Sequence, residues 1–137
     1  MRVFIDTSSL FKRYIQEDGS LELEPLFQQA SEIVVSPITW IEFNAALSRR
    51  SSYKALTSAQ VSWAISEAKK DFEFYSRIGW NDNLEEKVIE IAQKFSLKTL
   101  DAIQLASGIL SKVDIFVTSD KKLFEESKKV ISKTRFI

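Results

Sequence analysis

The sequence predicts an α/β fold with a short central parallel sheet and helices on both faces. Two observations predict it. Short apolar runs rich in β-branched and aromatic residues, at Val3–Ile5, Ile33–Ser36 and Ile115–Thr118, are each followed by the start of a helix. Between them lie segments whose apolar residues recur at spacings of three and four, as one face of a helix requires. Strands alternating with helices in this manner build parallel sheets covered on both sides.

The elements follow in order. Val3–Ile5 forms a buried strand, and Thr7-Ser8-Ser9 leads into a helix over Leu10–Ile15. Gly19-Ser20 breaks that helix and a second covers Leu21–Ala30. Ile33–Ser36 is the next strand, ended by Pro37, which has no N–H to give a sheet. A third helix starts near Thr39. From Thr57 to Ser76 the apolar stripe Val61, Ala64, Ile65, Ala68, Phe72 and Tyr75 marks a helix, with Thr57 and Gln60 as its capping box. Gly79 closes it. Asn81 or Asn83 caps a helix striped by Leu84, Val88, Ile91, Ala92 and Phe95, and Thr99 caps another over Leu100–Leu110. After the strand Ile115–Thr118 come a short helix, Lys121–Lys128, and a final strand, Thr134–Ile137.

Composition narrows the chemistry. A chain of 137 residues fits one domain, spanning 1–137, and 45% hydrophobic content with 10 Phe, 3 Tyr and 3 Trp supplies a packed core. With 3 Gly and 2 Pro there is little material for linkers. The absence of Cys excludes disulfides and thiolate metal sites, and the absence of His removes the commonest general base. Catalysis in such a chain falls to carboxylates, hydroxyls, amines or phenols. No apolar run is long enough for a signal peptide or a membrane span, so a cytoplasmic protein is expected. The formal charge is zero, from 19 basic and 19 acidic residues, without the global basic signature common in nucleic-acid binders.

Four acids stand out by position: Asp6, Glu42, Asp101 and Asp120 each fall where an extended or apolar run gives way to a helix. In an open α/β sheet such points gather at the carboxyl edge, where ligands bind. Each acid also has a structural reading. Asp6 and Asp120 suit N-caps, Glu42 stands at capping-box distance from Thr39, and Asp101 suits the first turn of its helix. Their neighbours favour more than capping. Ser8 accompanies Asp6, and Thr118 and Ser119 precede Asp120, making the oxygen-rich surroundings that Mg²⁺ and Mn²⁺ prefer.

Four stretches in order, Val3–Leu10, Ile41–Leu47 with Arg49, Leu97–Ala106 and Phe116–Asp120, resemble the PIN-domain ribonucleases, and most of all the VapC toxins of toxin–antitoxin pairs. The acids are separated by 36, 59 and 19 residues, and the similarity runs over nearly the whole chain. The resemblance implies a metal-dependent endoribonuclease whose Asp6, Glu42, Asp101 and Asp120 hold Mg²⁺ or Mn²⁺, with Thr118 and Ser8 assisting. It further implies an RNA substrate, a cognate antitoxin protein and a homodimer. Gln104 departs from the pattern, since many relatives carry His there, and this puts a secondary polar contact in doubt.

Physical chemistry points the same way. Carboxylates converging to about 5 Å repel by roughly 3 kcal/mol per pair at an effective dielectric near 20. Four ionised together need a cation, or some must be protonated. Setting them aside leaves 19 basic residues against 15 acidic ones. Arg49, two turns beyond Glu42, and Lys121 and Lys122, next to Asp120, are candidates for phosphate contacts, or else solvated surface charges. Phe72, Phe74, Tyr75 and Trp80 suit the core or a dimer interface better than base stacking. Two other classes remain open: a non-catalytic RNA-binding or scaffold module of the same fold, and a phosphatase with Asp6 as nucleophile. Such phosphatases commonly place a second acid two residues on, where this chain has Ser8.

Overall fold

The computed structural model describes residues 1–53 and 55–137. In chain order its elements are β1 (Arg2–Ile5), α1 (Thr7–Tyr14), α2 (Ser20–Gln29), β2 (Glu32–Val35), α3 (Thr39–Ser52) and α4 (Ser58–Phe72). They continue as β3 (Ser76–Arg77), α5 (Asp82–Phe95), α6 (Thr99–Leu110), β4 (Ile115–Thr118), α7 (Lys121–Ser127) and β5 (Thr134–Phe136). The strands form one sheet in the order β3-β2-β1-β4-β5, and every pairing is parallel. The α/β architecture expected from the alternating pattern is therefore the one observed.

The alternation of side chains along each strand sorts the core into two layers. Val3 and Ile5 of β1, Ile33 and Val35 of β2 and Val117 of β4 face α1 to α4, meeting Leu10, Phe43 and Leu47. Phe4, Val34 and Phe116 point the other way, toward Leu84, Ile91, Leu105 and Leu123 of α5 to α7. The Phe4 and Phe116 rings stack across neighbouring strands with centroids 5.1 Å apart. Strands buried on both faces need apolar residues at every position, which is why these runs show no polar alternation. No helix among the described residues is long and apolar enough to cross a membrane.

Local signals place the helix ends. Thr57 and Gln60 form the reciprocal capping box, and the Asn81 side chain accepts the Leu84 N–H at 2.9 Å. Gly19 adopts a left-handed φ of 91° ahead of α2, a conformation that strains other residues. Several boundaries differ from expectation, most of them by a single residue. The first helix begins at Thr7, because the Asp6 side chain caps it there. The helix after Thr57 ends at Phe72 and not Ser76, since Ser76–Arg77 turns away to form the edge strand β3. Gly79 accordingly lies beyond that strand and does not close the helix. Thr99 is already helical, and Lys98 occupies the cap position with no side-chain bond.

Candidate active site

The chain leaves β1 for β2 on one side of the sheet and returns to β4 on the other side of β1. Strand order therefore reverses at β1. The crevice beyond the carboxyl ends of β1 and β4 is the topological switch point, where open α/β sheets bind ligands. Asp6 follows β1 directly, and its N–H donates to the Val117 carbonyl of β4 at 3.0 Å. Its side chain is buried. The Ser8 N–H donates to Oδ1 and the Thr118 hydroxyl donates to Oδ2. Thr118 Oγ1 in turn accepts the Asp120 N–H at 3.0 Å, so one hydroxyl joins two of the acids. Ser8 Oγ accepts the Ser119 N–H at 3.0 Å, and the Ser9 and Ser119 hydroxyls share a bond of 2.8 Å. The start of α1 is thereby fastened to the end of β4.

Glu42 arrives from a third direction. The turn before α3 is held by Ser36 and Thr39: Thr39 Oγ1 accepts the Ser36 N–H at 3.1 Å, and the two hydroxyls bond at 2.9 Å. Thr39 thus makes no capping box with Glu42, and the cap residue is Ile38. The Glu42 carboxylate reaches across instead. Its Oε1 accepts the Thr7 hydroxyl at 2.8 Å and Gln104 Nε2 at 2.6 Å. Gln104 therefore supplies a polar contact at the position where the resemblance left one in doubt. Sequence reasoning missed this pair of donors, although Gln104 stands three residues after Asp101, on the same helical face.

The electrostatics link all four acids. Burial pushes the Asp6 carboxyl up to about 6, and the charge of Glu42 adds to the rise. Burial also raises Asp101, helped by the charges of Asp120 and Glu42, while Lys98 and Lys122 pull it back. Asp120 caps α7, its Oδ1 accepting the Leu123 N–H at 2.8 Å. The structural readings of Asp6 and Asp120 as caps are thus correct. All ion pairs among the described residues lie elsewhere and involve none of the four. No three acidic side chains among the described residues stand close enough to form a ready-made ligand sphere. Mg²⁺ needs none, because it takes one or two carboxylates directly and keeps several waters. An all-oxygen donor set outside any ion pair has the chemistry to accept such an ion.

A cleft of about 390 Å³ opens beside Glu42, walled by Ser8, Lys12, Arg49, Arg50 and Ser119. The cations differ in how they are held. Arg50 pairs with Glu17 at 2.6 Å and lies 4.2 Å above the Phe11 ring, whereas Arg49 is exposed and pairs with no carboxylate among the described residues. Lys12 donates to the Ile137 carbonyl at 2.8 Å and Lys122 to that of Ser96 at 3.2 Å, while Lys121 is exposed. A larger cleft of about 600 Å³, lined by Ile15, Leu56, Ala59 and Trp63, has none of the four acids in its wall. Volume alone would select it, but its lining carries no charged side chain. Phe72 and Tyr75 pack against the core as expected, and Phe74 and Trp80 are exposed.

Fold and site together define a doubly wound α/β protein with Asp6, Thr118 and Asp120 at its switch point. The chain belongs to the PIN-domain family, whose model matches residues 3–129. Its fold is similar to that of a protein from Pyrobaculum aerophilum, at a TM-score of 0.72 and 18% identity, covering 96% of this chain and 88% of that one. It is similar to a chain of a toxin–antitoxin complex from Klebsiella pneumoniae, at a TM-score of 0.65 and 20% identity, covering 89% of each. It is also similar to a chain of VapBC2 from Rickettsia felis bound to a promoter DNA fragment, at 0.71 and 14% identity, covering 100% and 99%. At these identities the shared property is the fold. No curated protein matches the sequence.

Proposed function

We propose that this protein is a Mg²⁺- or Mn²⁺-dependent endoribonuclease and acts as the toxin of a toxin–antitoxin pair in the cytoplasm. The observation that carries the nuclease reading is the hydrogen-bonded network that ties Asp6 to the Asp120 backbone through Thr118 and Glu42 to Thr7 and Gln104, with none of the four acids in an ion pair among the described residues, in a PIN-domain chain. Asp6, Asp101 and Asp120 would hold the metal, one or two of them directly and the rest through its waters, and Glu42 would orient water or hold a second ion. When bound, the metal activates water and stabilises charge on the phosphoryl oxygens. Thr118 and Ser8 keep the Asp6 carboxylate ionised and oriented by donating to it, and Ser119 fastens Ser8. The guanidinium of Arg49, which pairs with no carboxylate among the described residues, takes a phosphate oxygen in the cleft beside Glu42, and Lys121 and Lys122 are further phosphate contacts.

The pairing rests on similarity of fold to chains from toxin–antitoxin complexes. An antitoxin segment that presents a basic side chain to the acidic edge would neutralise the acids and inhibit cleavage. A homodimer is part of the same reading. The test is incubation of tRNA and mRNA with the protein in Mg²⁺, Mn²⁺ or chelator. The wild type should cut only with metal, and Asp6→Asn, with its fold verified by circular dichroism, should not. RNA binding without cleavage in Mn²⁺ would mean a non-catalytic module, and cleavage by Asp6→Asn would contradict the assignment.

A further inference from the structure

Gln104 is 3% exposed, and its surroundings fix its amide in one orientation. Nε2 donates to Glu42 Oε1 at 2.6 Å and to Thr7 Oγ1 at 3.0 Å, while the single Thr7 hydroxyl proton goes to the same Glu42 oxygen at 2.8 Å. An ionised carboxylate only accepts, so turning the amide over would set its carbonyl oxygen against Glu42. The orientation that satisfies Glu42 leaves Gln104 Oε1 buried, with no donor among the described protein groups. Such an acceptor costs stability. A position that served packing alone would do better with Met or Leu.

We infer that Gln104 and Thr7 are positioning residues, which grip Glu42 by one oxygen and leave the other open, so that Glu42 is held ready for the cation and the site binds it tightly. The inference rests on the metal-dependent reading above. It adds that part of the metal affinity resides in two neutral side chains. Hydrogen-bond partners of metal-binding carboxylates contribute about 10- to 100-fold to affinity or activity. The arrangement also predicts a trade of stability for function at Gln104, which an ordinary core residue would not show.

The test is calorimetric titration of metal-free protein with Mn²⁺ at neutral pH, together with urea unfolding in chelator. Gln104→Met should bind Mn²⁺ about 10-fold more weakly, while its metal-free stability stays the same or rises. Thr7→Val should weaken Mn²⁺ binding likewise, and it decides the matter alone if the first variant does not fold. Gln104→His, whose ring N–H donates in place of the amide, should bind within about threefold of the wild type. Undiminished Mn²⁺ affinity in both Gln104→Met and Thr7→Val would overturn this inference alone. So would parallel loss of affinity and stability in both. A wild type that binds no Mn²⁺ would overturn the metal reading and this inference with it.

Discussion

Asp6 shows how one side chain serves the fold and the site at once. It caps α1, yet its carboxyl stands at about 6 against an ordinary 3.8, chiefly because it is buried. The folded protein thus holds this proton more tightly than the unfolded chain. The associated stability is fully present below about pH 4 and is lost as pH rises through about 6. A shift of this size corresponds to about 3 kcal/mol at most. Asp6→Asn should therefore make the metal-free protein more stable than the wild type at pH 7.5, with the gain vanishing near pH 4, as read by urea unfolding in chelator. A pH-independent difference would contradict the role given to burial. Arg49 and Arg50 offer a second contrast at this scale. Arg49→Ala should weaken RNA binding and lower its salt slope by about one, as loss of a phosphate contact does. Arg50→Ala, which removes the Glu17 ion pair and the stack on Phe11, should instead lower stability by about 1 kcal/mol. The sequence made Asp6 and Asp120 legible because capping acids after apolar strands are local signals. Glu42 was ambiguous there, since its partners Thr7 and Gln104 come from two other helices and leave no local trace.

At the scale of the elements, α6 carries Asp101 and Gln104, and its Gly108 meets Phe116 of β4, the strand whose end supplies Thr118. The close approach occurs at Gly108. A Cβ there would stand 2.6 Å from Phe116 Cδ2, and that ring is fully buried and stacked on Phe4. Helix propensity favours Ala over Gly by about 0.5–1 kcal/mol, but overpacking a rigid ring costs about 1–3 kcal/mol, so the clash wins. Gly108→Ala should lower the urea midpoint even though it improves the helix. An unchanged or raised midpoint would mean that α6 can slide on the sheet. The long amphipathic helices and the three apolar strands could be read from periodicity, because burial on one face or both leaves a regular pattern. The edge strand β3 could not. Ser76–Arg77 carries no apolar signal, and parallel pairing with Val34 and Val35 defines it. Such pairing appears only when the sheet is assembled.

Over the whole molecule, the zero net charge conceals a division of labour. None of the four acids is in an ion pair among the described residues, while Lys12, Arg49 and Arg50 line the cleft beside Glu42 and Lys98 and Lys122 bear on Asp101. This separation is invisible in composition, because the topology brings together residues drawn from most of the chain. In the proposed reading the acids take a cation and the basic flanks take phosphates. The central claim is that folding makes this edge into a site that demands a divalent cation. Anomalous diffraction from crystals soaked in Mn²⁺ near pH 7.5 tests it most directly. A peak within ligand reach of Asp6 and at least one of Asp101 and Asp120, absent when Asp6 is Asn, is the predicted result. A peak at some other place on the surface, or none at the acidic edge, would contradict the account.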